Sequence, residues 1–301
     1  MTKKRLLSLL RLIGILLFLW ILFKIDRVKF FEEFQKANIT LLTISFAMIF
    51  LIMYIKTIRW HILVQQVGLD PSMHESWKLF QIGYFLAMIT PAKLGEFGRA
   101  AYLMHAGLNK RTSFGISLID RLADVIATVV LVIIAIWFLY GRSAVASIAV
   151  ISLLGLLITI IVIKKTPLGT KLIRTLPFMQ KVLVPSVITK TTLTTFLHLV
   201  FYLTWAILVA RSIGIDIPLI SLSAIFMIAG TIAVLPVAPS GLGTRDAALV
   251  TMLASYGIST EQAVALAFLI FISIILSGSL GAWYWTRGLE LSPLSAEEHE
   301  T

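Results

Sequence analysis

The sequence predicts an all-α, polytopic helical membrane protein with about six full spans and two opposed re-entrant hairpins in an inverted repeat. Three observations predict it. Apolar residues make up 58% of the 301 residues and charged residues only 14%, too few charges to cover the apolar surface of a soluble chain of this length. Several stretches approach or exceed the ~20 apolar residues that a helix needs to cross a bilayer. Finally, Pro91-Ala92-Lys93-Leu94-Gly95 and Pro239-Ser240-Gly241-Leu242-Gly243 share the pattern Pro-x-x-Leu-Gly. Each sets an arginine soon after it (Arg99, Arg245), and each is followed by a Gly-Leu or Gly-Ile step, Gly107-Leu108 and Gly257-Ile258. A motif that breaks an apolar segment at matching places in two halves marks an internal repeat of the transporter type.

The elements follow in order. Residues 6–23 are apolar apart from Arg11 and lie behind Lys3-Lys4-Arg5. No small-residue cleavage site follows, so they read as a retained first span rather than a signal peptide, with an amphipathic stretch at 24–36. Residues 39–55 are the second span, closed by Lys56, Arg59, Trp60 and His61 as a basic and aromatic interface anchor. Residues 116–140, 143–163, 191–210 and 262–285 supply four more spans. Residues 77–105 and 219–256 are apolar at both ends and broken in the middle at Pro91 and Gly95 and at Pro239, Gly241 and Gly243. Backbone freed there must be buried in protein or line a wet cavity, and half-segments of roughly ten to seventeen residues are too short to cross. Two half-helices that enter and leave on one side is the economical reading. The whole chain is one transmembrane domain, repeat 1 at about 1–141 and repeat 2 at about 142–290, with a short acidic tail at 291–301.

Charge sets the sidedness. With both termini cytoplasmic, the cytoplasmic side collects Lys3, Lys4, Arg5, Lys56, Arg59, Lys110, Arg111, the basic run 164–190 and Arg287, the bias that the positive-inside rule requires. Each half then holds three true crossings. Three is odd, so the halves lie upside down to each other and the two hairpin tips approach near the midplane. Full crossings of both broken regions would make the halves parallel, and charge alone does not decide between the two. The formal net charge of +11 belongs to this topology and to anionic-lipid contact rather than to nucleic acid, because the basic residues flank spans instead of forming one stripe. With no cysteine in the chain, disulfides, thiolate metal sites and cysteine nucleophiles are excluded.

The candidate site residues are the charges at membrane depth: Lys93, Glu96 and Arg99 from the first hairpin, Asp120, Arg121 and Asp124 from the next helix, Arg245 and Asp246 from the second hairpin. Such groups are expensive in a bilayer and face a bundle interior or wet cavity. Two readings stand. Arg99 and Arg245, with Lys93 or Arg121, form a cradle for a phosphate, which planar guanidinium forks and half-helix N-termini suit. Alternatively the four cations pair with the four anions and staple the hairpins together, with Asp124 and Arg121 available to each other along one helix. No histidine pair has metal-ligand spacing, His198 reads as a packing residue, Thr191 to Thr195 as helix back-bonding, and Gly278 and Gly281 as close helix packing. No metal and no cofactor is expected.

At these residues the chain resembles the lysylphosphatidylglycerol synthase transmembrane family, also called flippase-like domain proteins. The resembling parts are Arg59-Trp60, Gly83-Tyr84 through Thr90-Pro91, Leu94-Gly95-Glu96 with Arg99, Asp120-Arg121-x-x-Asp124, and Pro236-x-x-Pro239-x-Gly241-x-Gly243-x-Arg245-Asp246. They span nearly the whole chain, and the ordered set is far more specific than any one piece. The resemblance implies a role similar to that of the membrane part of multiple peptide resistance factors, a flippase for aminoacylated phosphatidylglycerol; other relatives occur beside hopanoid and glycolipid pathways. Two departures matter. Asp246 stands where the family often has glutamate, and Phe268 to Phe271 stand where the following helix often carries an arginine, which leaves the second half less charged than the first. Nothing after Glu290 is long enough for the soluble aminoacyl-transferase domain, so lipid lysylation by this chain alone is not expected.

The expected function is therefore a lipid translocase, flippase or scramblase, for an anionic or phosphate-bearing lipid in the cytoplasmic or inner membrane. No Gly-x-x-x-x-Gly-Lys-Ser/Thr loop is present, so the driving energy would come from ion or lipid gradients. The alternatives are a secondary carrier for a small anion, or an accessory protein or enzyme of glycolipid or polyprenyl-lipid assembly. The expected partners are a phospholipid or other anionic lipid and the bilayer itself, with a homodimer as the candidate assembly.

Overall fold

A computed structural model describes residues 23, 25–165, 181–234 and 241–288, with backbone only at 91, 92 and 142–165. Among these residues every regular element is helical. Asp26 caps α1 (Arg27–Gln35) by accepting from the Val28 and Lys29 amides, and Asn38 caps α2 (Ile39–Gln65) by accepting from Leu41. Each thereby satisfies amides that a helix start leaves open. Ser72 and Glu75 close a capping box on α3 (Met73–Ile89). A 3-10 turn over Pro91–Gly98 follows, then the short α4 (Arg99–His105). α5 (Lys110–Lys165) is helical on both sides of Gly141, whose φ of 80° and ψ of −176° are essentially confined to glycine. α6 (Pro185–Ser212) begins at a proline that needs no amide partner. α7 (Leu219–Ile232), α8 (Thr244–Ala254) and α9 (Thr260–Arg287) complete the chain.

Among the described residues, four helices are long and apolar enough to cross a membrane: Ile39–Gln65, Lys110–Gly141, Pro185–Ser212 and Thr260–Arg287. The protein is a multi-pass membrane protein. The expected first span at 6–23 lies outside the described residues apart from Phe23, as do most of the basic run, Pro239 and the acidic tail. One expected boundary is corrected. The helix that holds the second span does not stop at Ile55 but runs on to Gln65, so Lys56 and Arg59 sit inside a helix rather than at its exit.

Both broken regions break where the sequence places the motifs. Gly95 folds back so tightly on α3 that a Cβ there would strike the Leu86 carbonyl, and Gly241 lies equally close to Ala233 beyond the end of α7. α4 and α8 end alike. Leu108 donates to the Leu103 carbonyl at 3.1 Å and Ile258 to the Leu253 carbonyl at 3.3 Å, with Gly107 and Gly257 at positive φ. α6 ends the same way, with Ile215 donating to the Ala210 carbonyl and Gly214 at positive φ; the stop needs glycine for its left-handed residue.

α2 packs most extensively on α6. α3 packs on α9 and α7 on α5, while α4 lies on α5 and α8 on α9. The α3–α9 seam is close because Gly281 sits against the main chain of Gln81 and Gly278 against Met88, as small residues permit. The largest core cluster among the described residues joins side chains from α2 to α9, and the charged residues lie within this packing.

Candidate functional site

The site grows from one side chain. Arg59 on α2 is 1% exposed and reaches α5, where Nε donates to Asp120 Oδ1 at 2.8 Å and Nη1 to Asp124 Oδ1 at 2.7 Å. Nη1 also donates to Thr195 Oγ1 on α6 at 2.9 Å, and that hydroxyl donates to the Thr191 carbonyl. Thr195 thus back-bonds along its helix, as expected, and also accepts from Arg59. One turn earlier on α2, Lys56 holds the second oxygen of Asp124 at 2.6 Å. Asp120 and Asp124 share a face because four residues make about one helical turn, and α2 offers Lys56 and Arg59 at the matching spacing. Buried guanidinium and carboxylate groups survive there because each is hydrogen-bonded to the other.

Arg99 closes the other side of Asp120. Its Nη2 donates to Asp120 Oδ2 at 3.0 Å and its Nε to the Glu96 carbonyl at 3.1 Å. The guanidinium stacks 4.0 Å from the Trp60 ring centroid and 5.2 Å from that of Phe80, a cation–π sandwich. The aliphatic stem passes over Gly83, where any Cβ would collide with it. Glu96 takes Arg121 at 3.3 Å, not Arg245. Arg245 bonds its own neighbour, with Nε and Nη2 on Asp246 Oδ1 at 3.0 and 2.7 Å and Nη2 also on the Ala267 carbonyl. Asp246 Oδ2 in turn accepts from the Gly243 amide at 2.9 Å, which ties this pair to the turn that starts α8.

Beside this network lies a cavity of about 340 Å³ lined from both halves of the chain. Its ionisable walls are Lys56, Lys93, Arg121, Arg245, Asp124, His198, Tyr84 and Tyr202, and much of the remainder is aliphatic, including Ile49, Met53, Val125, Leu199 and Ile274. His198 therefore borders the cavity rather than serving only as packing. Of the eight candidate residues, Lys93, Arg121, Asp124 and Arg245 line the cavity; Glu96, Arg99, Asp120 and Asp246 stand behind them as partners. Arg99, expected beside Arg245 in the cradle, is 1% exposed and occupied by Asp120 and Trp60. Asp124 pairs with Lys56 and Arg59 rather than with Arg121.

Lys93 is different. It makes no hydrogen bond or ion pair among the described residues, and its φ of 56° places a non-glycine residue in the left-handed region at a cost of about 1–2 kcal/mol. Arg245 keeps Nη1, and Arg121 keeps Nε and Nη2, without hydrogen bonds among the described residues. The cavity wall thus presents unused cationic donors beside an aliphatic surface.

The sequence reading missed Lys56 and Arg59 as members of the site. The available signal was their spacing of three, on a helix with no proline or glycine before Gln65, and the complementary Asp120 and Asp124 four apart.

Compared with known families, the sequence matches the family described as "Lysylphosphatidylglycerol synthase TM region" over residues 7–280. No curated protein gives a significant match.

Proposed function

The chain belongs to the lysylphosphatidylglycerol synthase transmembrane family, and from that membership we propose that it is a lipid translocase, a flippase or scramblase, for an anionic or phosphate-bearing lipid. One observation carries the reading: a cavity lined from both halves puts donors of Lys93, Arg121 and Arg245 that are unused among the described residues beside aliphatic walls. That pairing of surfaces suits an amphipathic anion, whose headgroup takes the cations while its chains stay against Ile49, Val125 and Ile274. In this reading Arg245 and Arg121 present guanidinium donors to the headgroup, Lys93 adds a mobile point charge, and Arg99 and Asp120 hold the frame. The chain acts as a carrier rather than an enzyme, and the lipid is its only cargo.

The architecture proposed with it is two inverted halves with a re-entrant hairpin in each. For the second hairpin the support is Gln262 at the start of α9, which donates to the Ile213 carbonyl just before α7 at 2.8 Å; the region leaves near where it enters. For the first, Lys56 meets Asp124 and Arg59 meets Asp120, an antiparallel register that sets the end of α2 beside the start of α5. The linkers 66–72 and 106–109 then share a face. Asn38 donates to the Ser212 carbonyl at 2.6 Å, which joins the opposite ends of α2 and α6. The reciprocal packing of α3 on α9 and α7 on α5 is what a two-fold relation between halves produces. The positive-inside bias places both termini in the cytoplasm.

The test is purified protein in liposomes, assayed for crossing of a headgroup-labelled anionic lipid and, in parallel, for uptake of small anions. Lipid crossing that Arg121→Ala and Arg245→Ala abolish supports the proposal. Small-anion uptake without lipid crossing overturns it in favour of a secondary carrier.

A further inference from the structure

The charges around the cavity do not balance. Lys56, Arg59 and Arg99 share two carboxylates, Asp120 and Asp124. Arg121 with Glu96 and Arg245 with Asp246 are one-to-one pairs. Lys93 has no ion pair among the described residues. The cluster therefore holds six cations against four carboxylates, a surplus of two positive charges.

No other carboxylate of residues 1–288 makes up the difference. Asp26 caps α1, Glu32 and Glu33 meet Lys36, Asp70 accepts from Gln65, Glu75 closes the capping box of α3, Asp216 meets Arg211 and Glu261 accepts from the Asp26 amide. Every remaining acidic residue lies at or beyond Glu290. Cations at membrane depth without counter-charge are costly, so the surplus selects what enters the cavity.

We infer that the cavity selects a lipid whose headgroup carries about two negative charges, a phosphate monoester or a diphosphate, over a phosphodiester headgroup and over an aminoacylated one. This rests on the translocase reading above and narrows its substrate class. A phosphate monoester carries a charge of about −1.5 to −2 near neutral pH and three terminal oxygens, which match the three donors that Lys93, Arg121 and Arg245 present. A phosphodiester brings one negative charge and two terminal oxygens, leaving one cation unanswered. An aminoacylated diester adds ammonium groups, and the one carboxylate on the wall, Asp124, is already held by Lys56 and Arg59. Besides that carboxylate the wall offers an amine only neutral acceptors, the His198 ring and hydroxyls such as Tyr84 and Tyr202, and none of them supplies a counter-charge.

The experiment measures binding to the full chain in detergent by native mass spectrometry. The probes are phosphatidic acid, phosphatidylglycerol and lysylphosphatidylglycerol with identical acyl chains, together with inorganic phosphate. Phosphatidic acid is expected to bind about tenfold tighter than phosphatidylglycerol, the scale of one added charged contact, and lysylphosphatidylglycerol weakest. Lys93→Gln removes one surplus charge and is expected to bring the two anionic lipids to within about threefold of each other. Equal or tighter binding of phosphatidylglycerol or lysylphosphatidylglycerol overturns the inference, as does a preference that Lys93→Gln leaves intact. Inorganic phosphate binding as tightly as phosphatidic acid assigns the site to a soluble anion and overturns the lipid source. The two proposals separate cleanly. If phosphatidylglycerol crosses liposomes in a manner that Arg121→Ala and Arg245→Ala abolish, while no preference for phosphatidic acid exists, the translocase reading stands and this one falls. If none of the three lipids binds or crosses, both fall.

Discussion

Arg59 meets Asp120 through two hydrogen bonds, Nε to the carboxylate at 2.8 Å and Nη2 to the main-chain carbonyl of the same residue at 3.2 Å. The contact fixes the register between α2 and α5. Because Arg99 holds the other carboxylate oxygen, it also fixes where the first broken region comes to rest. Three elements thus depend on one carboxylate.

Asp120→Asn should accordingly be among the most damaging single changes in the cluster. Removing one partner of a buried pair costs roughly 3–5 kcal/mol, while removing both can be close to neutral. Thermal unfolding in detergent should show Asp120→Asn with Arg99→Gln losing less than the sum of the singles. Glu96→Gln with Arg121→Gln should behave the same way. Glu96→Gln with Arg245→Gln should be additive to within about 0.5 kcal/mol, since no contact joins them; strong coupling there would mean that the two hairpins pair directly.

Arg121→Ala and Arg245→Ala should each abolish or greatly slow lipid crossing in liposomes while folded protein remains in the membrane. Lysine at either position should restore crossing only partly, because a point charge replaces a planar fork. Arg99→Ala should differ in kind. It loses the Trp60 stack and the Asp120 bond, so its main effect should appear as a lower Tm. A stable Arg99→Ala protein that no longer moves lipid would return Arg99 to the headgroup site.

Two glycine substitutions separate backbone clashes from side-chain ones. Alanine at Gly95 would meet the Leu86 carbonyl, whereas alanine at Gly83 would meet the stem of Arg99. A side chain can shift where a main chain cannot, so Gly83→Ala should cost about 1–3 kcal/mol, the usual range for overpacking, and Gly95→Ala distinctly more. Comparing the yield of folded protein and the Tm of the two variants decides it. Equal Tm values would mean that the turn at Gly95 can open.

The hairpins can be tested by single cysteines, which report cleanly because the chain has none. Asp70→Cys and Lys110→Cys should label from one face, Asp216→Cys and Tyr256→Cys from the other. All four positions are exposed. If Asp70 and Lys110 label from opposite faces, the first region crosses the membrane and the re-entrant reading fails.

Much of this was legible in the chain. Apolar length gave the membrane class, and Pro-x-x-Leu-Gly gave both breaks, because proline and glycine act within a few residues of where they stand. Gly107 and Gly257 marked one helix stop for the same reason. The second span's apolar window ends at the first cation, whereas the helix ends only where its backbone bonding does, at Gln65. A buried partner can keep a charge inside a span, and a partner on another helix leaves no local trace.

What the sequence determined by itself was therefore set by neighbours along the chain: the helical membrane class and the two breaks at the Pro-x-x-Leu-Gly motifs. Which charge meets which was decided by tertiary structure alone. Asp124 lies within helical reach of Arg121, yet it turns to Lys56 and Arg59, while Arg121 turns to Glu96. The balanced set of four cations and four anions became six against four once α2 packed beside α5. An ion pair forms through space and depends on the register between helices, which no spacing along one chain segment records.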